Sequence, residues 1–268
     1  MSRTVLITGS TDGIGLETAK LLVSQGEKVL IHGRNPAKLE EARKTLSALG
    51  SGVEIETYRA DLSRIPEVEM LAKAVAEKHS KLDALINNAG VYKVPKTLTK
   101  EGLDMRFVVN TIAPYVLTQT FMPLLQSSSR VVNLSSAAQA PVDLDALLGM
   151  TQLSDSDAYA QSKLALTMWS FHMAQSLEGK SPSIIAVNPA SFLGSKMVKE
   201  AYGMAGKDLS VGAEVLARAA LSDEFSDASG KYFDNDIAQF TSPHSDALDS
   251  KKCEALVRTI ESILMKLR

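Results

Sequence analysis

Tyr159 and Lys163 stand four residues apart in DAYAQSK (157–163), with only small or polar residues between them. On a helix, positions i and i+4 share a face, so the Lys163 ammonium can lie beside the Tyr159 hydroxyl. A free phenol loses its proton near pH ~10 and a free lysine near ~10.4. A neighbouring positive charge favours the phenolate, which turns a poor acid-base group into one tuned toward neutral pH. Taken alone, the same spacing also suits an ordinary amphipathic helix.

A second cluster, TGSTDGIG (8–15), follows the apolar run RTVLIT and precedes a helical pattern. Strand, glycine turn and helix are the context of a dinucleotide phosphate site. Gly9 permits the sharp turn, Gly13 lets the backbone approach a pyrophosphate, and Gly15 lets the helix pack on the strand. The helix N-terminus offers unpaired N–H groups and a positive dipole end. Ser10, Thr11 and Ile14 complete the turn. The spacing is G-x-x-x-G-x-G, and a plain structural turn is the competing reading. At the end of the second strand, IHGRN (31–35) carries no carboxylate for the ribose hydroxyls, whereas Arg34 can hold a 2′-phosphate. Arg34, with Asn35 beside it, favours NADP(H) over NAD(H); the bland alternative is a solvated arginine. Asp12 supplies no second positive charge.

The elements that must position these residues alternate. Strands are expected at 3–8, 28–33, 53–61, 83–87, 130–136, 183–189 and 230–233. Helices are expected at 14–25, 36–49, 64–79, 101–126, 157–178, 211–221 and 250–265. Strands alternating with helices argue for βαβ units. The expected fold is therefore a single-domain Rossmann-type α/β fold over 1–268. Its doubly wound parallel sheet has about seven strands, with helices on both faces. The irregular segments 91–100, 137–156 and 190–210 follow the C-terminal ends of later strands, where open parallel sheets bind ligands.

Composition narrows the function classes. A net charge of -2 gives no electrostatic grip on nucleic acid or an anionic membrane. The single cysteine, Cys253, excludes an internal disulfide, and the four scattered histidines show no metal-ligand spacing. No signal peptide and no window of ~18 apolar residues is visible, so a cytoplasmic location is expected.

Five motifs in register extend this reading: TGSTDGIG, Asp61-Leu62, Asn87-Asn88-Ala89-Gly90, Asn110, and VNLSS ending at Ser136 followed by Tyr159-x-x-x-Lys163. As a set, over about residues 3–190, they resemble the short-chain dehydrogenase/reductase family. The gap from Ser136 to Tyr159 and the late GKYF resemble its retinol-dehydrogenase-like branch. The resemblance implies an oxidoreductase that interconverts an alcohol and an aldehyde or ketone. It makes Tyr159 the general acid/base and Ser136, rather than Ser135, the group bonded to the substrate oxygen. Lys163 would also bind the nicotinamide ribose, and Asn110 would complete a proton relay. Asp61 and Leu62 would meet the adenine; Asn88, Ala89 and Gly90 would lie beside the adenosine ribose. The family's homo-oligomers usually pair helices 101–126 and 157–178.

Two departures stand out. Pro189-Ala190 replaces the family's usual Pro-Gly, so the nicotinamide-side loop is expected to differ in shape. Segment 137–156 is long, and its Leu144, Leu147, Leu148, Met150 and Leu153 either wall a pocket or pack on the core. Apolar residues in 190–210, Phe192, Leu193, Met197, Tyr202 and Met204, suit a lid over a small apolar carbonyl or alcohol substrate. The alternative function is a non-catalytic NADP(H)-binding sensor or scaffold, although such proteins typically lose the Tyr or Lys.

Overall fold

Successive residues of the short apolar runs serve opposite sides of one sheet. Strand β1 (Thr4–Ile7) sends Val5 and Ile7 into one core and Leu6 into the other, as a period of two requires. Strand β2 (Lys28–Gly33) and strand β4 (Leu82–Asn87) do the same with Val29, Ile31, Ala84 and Ile86 against Leu30 and Leu85. The computed structural model describes residues 2–49, 52–177, 182–194, 199, 203 and 205–267.

The remaining strands are β3 (Glu56–Arg59), β5 (Leu125–Leu134), β6 (Ser183–Asn188), β7 (Tyr232–Asp234) and β8 (Gln239–Thr241). The order is β3-β2-β1-β4-β5-β6-β7-β8, with every neighbouring pair parallel except β7 and β8. The doubly wound single domain is as expected, with eight strands rather than about seven. The added strand, QFT, is only three residues long and exposed throughout, so it gave no apolar run.

Helices α1 (Gly13–Ser24) and α2 (Pro36–Ser47) cover one face with α8 (Leu209–Leu221). The other face carries α3 (Ile65–Lys78), α4 (Met105–Phe107), α5 (Ala113–Phe121), α6 (Leu144–Leu147), α7 (Asp155–Ser176) and α9 (Ser250–Leu267). The helix expected over 101–126 is shorter and interrupted by a π turn, Val108–Ile112. It closes in a 3₁₀ turn at Met122–Leu124, which contains Pro123, and β5 begins at once. Segment 137–156 packs on the core: Asp143 caps α6, Ala146 and Leu147 are buried, and Met150 is exposed. Gly50, Met197, Tyr202 and Met204 lie outside the described residues.

Strand order reverses between β1 and β4, and the loops after β1, β4, β5 and β6 emerge side by side at one sheet edge. That edge is where a doubly wound fold binds its ligand.

Candidate active site

The glycine turn is built by close backbone approaches. Gly9 and Gly13 hold φ of 65° and 55°, in the left-handed region. A Cβ on Gly15 would lie 2.4 Å from Asn88 Nδ2 and 2.5 Å from the Gly9 carbonyl oxygen, so only glycine lets α1 start here. Asn88 donates to the carbonyls of Thr8 and Gly9 at 2.9 and 3.0 Å, and the Ala89 N–H donates to Thr8 Oγ1 at 3.0 Å. The β4 loop thus braces the β1 turn. Thr11 packs its methyl where a Cβ on Gly33 would lie, 2.5 Å away. This compact turn at a helix N-terminus fits a dinucleotide pyrophosphate.

His32 joins this turn to the loop after β3. The Gly9 N–H donates to His32 Nδ1 at 3.1 Å, while Nε2 lies 3.1 Å from the Ala60 carbonyl. A carbonyl only accepts, so Nε2 carries the proton and the imidazole is neutral. Burial pushes its pKa down to about 4, against the raising effects of Ala60 and Asp61. Sequence reasoning passed His32 over as one of four scattered histidines; its place at the end of a buried strand, two residues before Arg34, was the available signal.

Asp61 follows Ala60 and accepts from the Ser63 N–H and hydroxyl, and Leu62 is buried. Arg34 is exposed just beyond β2. Asn35 is the N-cap of α2, its Oδ1 accepting from Ala37 and Lys38 N–H, so that oxygen serves the helix. Asp12 caps α1 through the Gly13 N–H and pairs with Lys38 at 2.9 Å, which brings a second cation near the turn.

A second cluster surrounds Gly90. A Cβ there would be 3.5 Å from Asn110 Oδ1 and 3.6 Å from Lys163 Nζ, so the two polar groups flank it. Asn110 sits in the π turn and is fully engaged: Oδ1 accepts from the Val91 N–H at 2.8 Å. Its Nδ2 donates to the Val91 carbonyl at 2.9 Å and to Ser162 Oγ at 3.0 Å. Lys163 donates to the Leu134 carbonyl at 2.6 Å, and its Nζ lies 5.7 Å from the Tyr159 ring centroid. Burial pushes the Lys163 pKa down to about 8. The Tyr159 ring meets Tyr92 edge-on, with centroids 4.9 Å apart, a contact that the irregular 91–100 segment hid. Buried Arg106, paired with Asp104 at 2.6 Å and with Asp155 in the first turn of α7, fixes the helix that carries Tyr159.

The two serines after β5 differ. Ser135 is buried, and its Oγ is bonded to Thr167 Oγ1 at 2.7 Å. Ser136 is half-buried; its Oγ accepts from the Ala138 N–H at 3.1 Å, which leaves the hydroxyl proton available to donate. Two donors grip its carbonyl: Tyr232 Oη at 3.0 Å and Gln139 Nε2 at 2.9 Å. Burial, with the charges of Asp234 and Asp236, pushes the Tyr232 hydroxyl well up against the opposing bond to Gln139, so it stays protonated at neutral pH.

After β6, Ala190 adopts φ of 114° and Phe192 φ of 59°. Such backbone costs a non-glycine residue of order 1–3 kcal/mol. The Pro-Ala departure therefore keeps a glycine-type conformation rather than avoiding it. Among the described residues no group of three His, Cys, Asp or Glu is placed to hold a metal, and no helix is long and apolar enough to cross a membrane.

Comparison with known proteins agrees with this geometry. Residues 3–206 match the family described as short chain dehydrogenase. Human retinol dehydrogenase 13 is 30% identical over 87% of this chain and 76% of its own length. A crystal structure of an uncharacterized protein from Mycobacterium paratuberculosis superposes with a TM-score of 0.81 at 27% identity, covering 97% of this chain and 92% of that one. The Pseudomonas aeruginosa RhlG/NADP active-site complex does so with a TM-score of 0.69 at 25% identity, covering 87% and 94%. The chain belongs to the short-chain dehydrogenase/reductase family of oxidoreductases, and its relatives include retinol dehydrogenases.

Proposed function

We propose that this protein is an NADP(H)-dependent oxidoreductase that interconverts an alcohol and an aldehyde or ketone, with Tyr159 as general acid/base. The observation that carries the reading is the convergence of Asn110 and Lys163 on Gly90, with Tyr159 one helical turn from Lys163. In this reading the turn 9–15 holds the pyrophosphate and Arg34 the 2′-phosphate. Asp61 and Leu62 meet the adenine, and Asn88, Ala89 and Gly90 lie beside the adenosine ribose. When bound, the nicotinamide supplies or takes up the hydride.

The chain's own groups manage the oxygen and its proton. In reduction, Ser136 donates a hydrogen bond to the carbonyl oxygen and Tyr159 gives it a proton; in oxidation Tyr159 takes the proton back. The Lys163 ammonium, near the Tyr159 ring, favours the phenolate left behind. Asn110 holds the loop at Val91 against α7 and completes the relay. NADP(H) is favoured over NAD(H) by Arg34 and by the NADP that the RhlG complex carries. The substrate is a small apolar carbonyl or alcohol, and the location cytoplasmic.

Purified protein is expected to oxidise NADPH faster than NADH against a panel of aldehydes and ketones, with Arg34→Ala narrowing that preference. NADPH bound tightly but left unconsumed with every carbonyl, and NADP⁺ with every alcohol, would instead favour a sensor.

A further inference from the structure

We infer that Asp236, acting with Asp234 and Asn235, is a positioning residue that holds the strained loop after β6 in the shape needed at the nicotinamide end of the cleft. The inference rests on the dinucleotide reading above and adds residues that lie outside the family match, which ends at residue 206.

The loop has a reason to need support. Ala190 and Phe192 both hold positive φ, and a backbone of this kind persists only where its surroundings over-determine it. The tripeptide Asp234-Asn235-Asp236, which runs from the last residue of β7 into the turn toward β8, supplies such surroundings. The Ser191 N–H donates to Asp236 Oδ1 at 2.8 Å, and the Ser191 hydroxyl donates to Oδ2. Buried Asn188 donates through one Nδ2 to Asp234 Oδ1 at 2.8 Å and to Asp236 Oδ2 at 2.9 Å. Asn235 donates its backbone N–H to the Asn188 carbonyl and its side chain to the Pro189 carbonyl, both at 3.1 Å. Residues 188, 189 and 191 are therefore each tied to the tripeptide, and Ala190 is bracketed between them.

The far side of the loop is held as well. Gly194 N–H donates to the Lys207 carbonyl and Lys207 N–H to the Phe192 carbonyl, both at 2.7 Å. Lys207 Nζ lies 3.6 Å from Asp236. Burial pushes the Asp236 carboxyl up, but the bonds from Ser191 and Asn188 and the Lys207 charge hold it below the usual range, so it is ionised at neutral pH.

The loop's position gives the clamp a consequence. A Cβ on Gly212 in α8 would lie 2.6 Å from Leu193 Cδ1 and 3.1 Å from Ile14 Cγ2. Leu193 of the loop and Ile14 of the glycine turn thus meet over one glycine. On the other side, the Ser135 N–H donates to the Val187 carbonyl at the end of β6. The loop therefore touches the phosphate turn through Leu193 and leaves a strand that is bonded to the residue before Ser136, and a misplaced reacting group can cost roughly a hundredfold in rate.

The test compares the full-length parent with Asp236→Ala, Asp236→Asn, Ala190→Gly and the double variant Asp236→Ala/Ala190→Gly. The adenosine half is probed with 2′,5′-ADP, the reacting half by NADPH turnover, and the loop by hydrogen exchange at Ser191. Asp236→Ala is expected to lose protection at Ser191 and roughly ten- to hundredfold in kcat, with 2′,5′-ADP affinity kept within about twofold. Asp236→Asn falls between, and Ala190→Gly restores part of the lost turnover in the double variant, because glycine holds the positive φ unaided. Parent-like kcat in Asp236→Ala overturns the inference, as does an equal fall in 2′,5′-ADP affinity and turnover. A parent that binds neither 2′,5′-ADP nor NADPH overturns the dinucleotide reading and this inference with it; a parent that binds both leaves the variants to decide the clamp alone.

Discussion

The turn after β1 and the loop after β6 leave the same sheet edge, and both place backbone at positive φ. The first does so with glycines, Gly9 and Gly13, and is braced by His32 in β2 and by Asn88 in the loop just after β4. The second does so with Ala190 and Phe192 and leans on Asp236, 45 residues downstream of Ser191. One loop carries its conformation in its own residue types; the other obtains it from distant hydrogen bonds. The first should therefore resist substitution, while the second should have room for improvement.

Replacing His32 by Leu breaks the first loop most. It strands the Gly9 N–H and the buried Ala60 carbonyl, and the loss is expected at roughly 2–4 kcal/mol, read by urea denaturation. His32→Asn, which keeps an acceptor, should lose less. Gly15→Ala comes next. Its new methyl meets the Gly9 backbone oxygen at 2.5 Å, which cannot swing aside, and overpacking of this kind costs about 1–3 kcal/mol. Calorimetry should show cofactor binding weakened along with stability.

Lys163→Met is expected to act with the opposite sign on stability, gaining roughly 1–2 kcal/mol at pH 7 while turnover is lost, because a buried ammonium is removed. Lys163 has a folded pKa of about 8 against its ordinary 10.5, so between these values the unfolded chain holds a proton that the folded chain has released. Parent stability should rise with pH across that window, and Lys163→Met should flatten the rise. The same ionisation should make kcat/KM fall as pH passes upward through about 8 in the free enzyme. The smallest effect belongs to the second loop: Ala190→Gly should raise stability by about 1 kcal/mol, since relief of strain outweighs the added chain entropy. A loss there would contradict the comparison.

What the sequence displays follows the same division. Val5, Leu6 and Ile7, or Tyr159 and Lys163, declare themselves because their partners lie within one strand or one helical turn. The glycine turn is legible for the same reason. Tyr232, which holds the Ser136 carbonyl, is not, because it reaches across 96 residues. Asp236 and Asn188 are likewise joined only by the pairing of β6 with β7. The π turn that carries Asn110 also left no pattern, since Val108 to Ile112 are all buried and no polar face marks where the helical phase shifts.

In the proposed reaction Tyr159 supplies the proton at a site built to hold NADP(H). Its most direct test follows NADPH binding by fluorescence and hydride transfer in a single turnover, for the parent and for Tyr159→Phe. NADPH binding is expected to be equal in the two proteins and the rate lower in the variant by roughly 10²–10⁴-fold. Equal rates in the two proteins, or no NADPH binding by either, would contradict the proposed reaction.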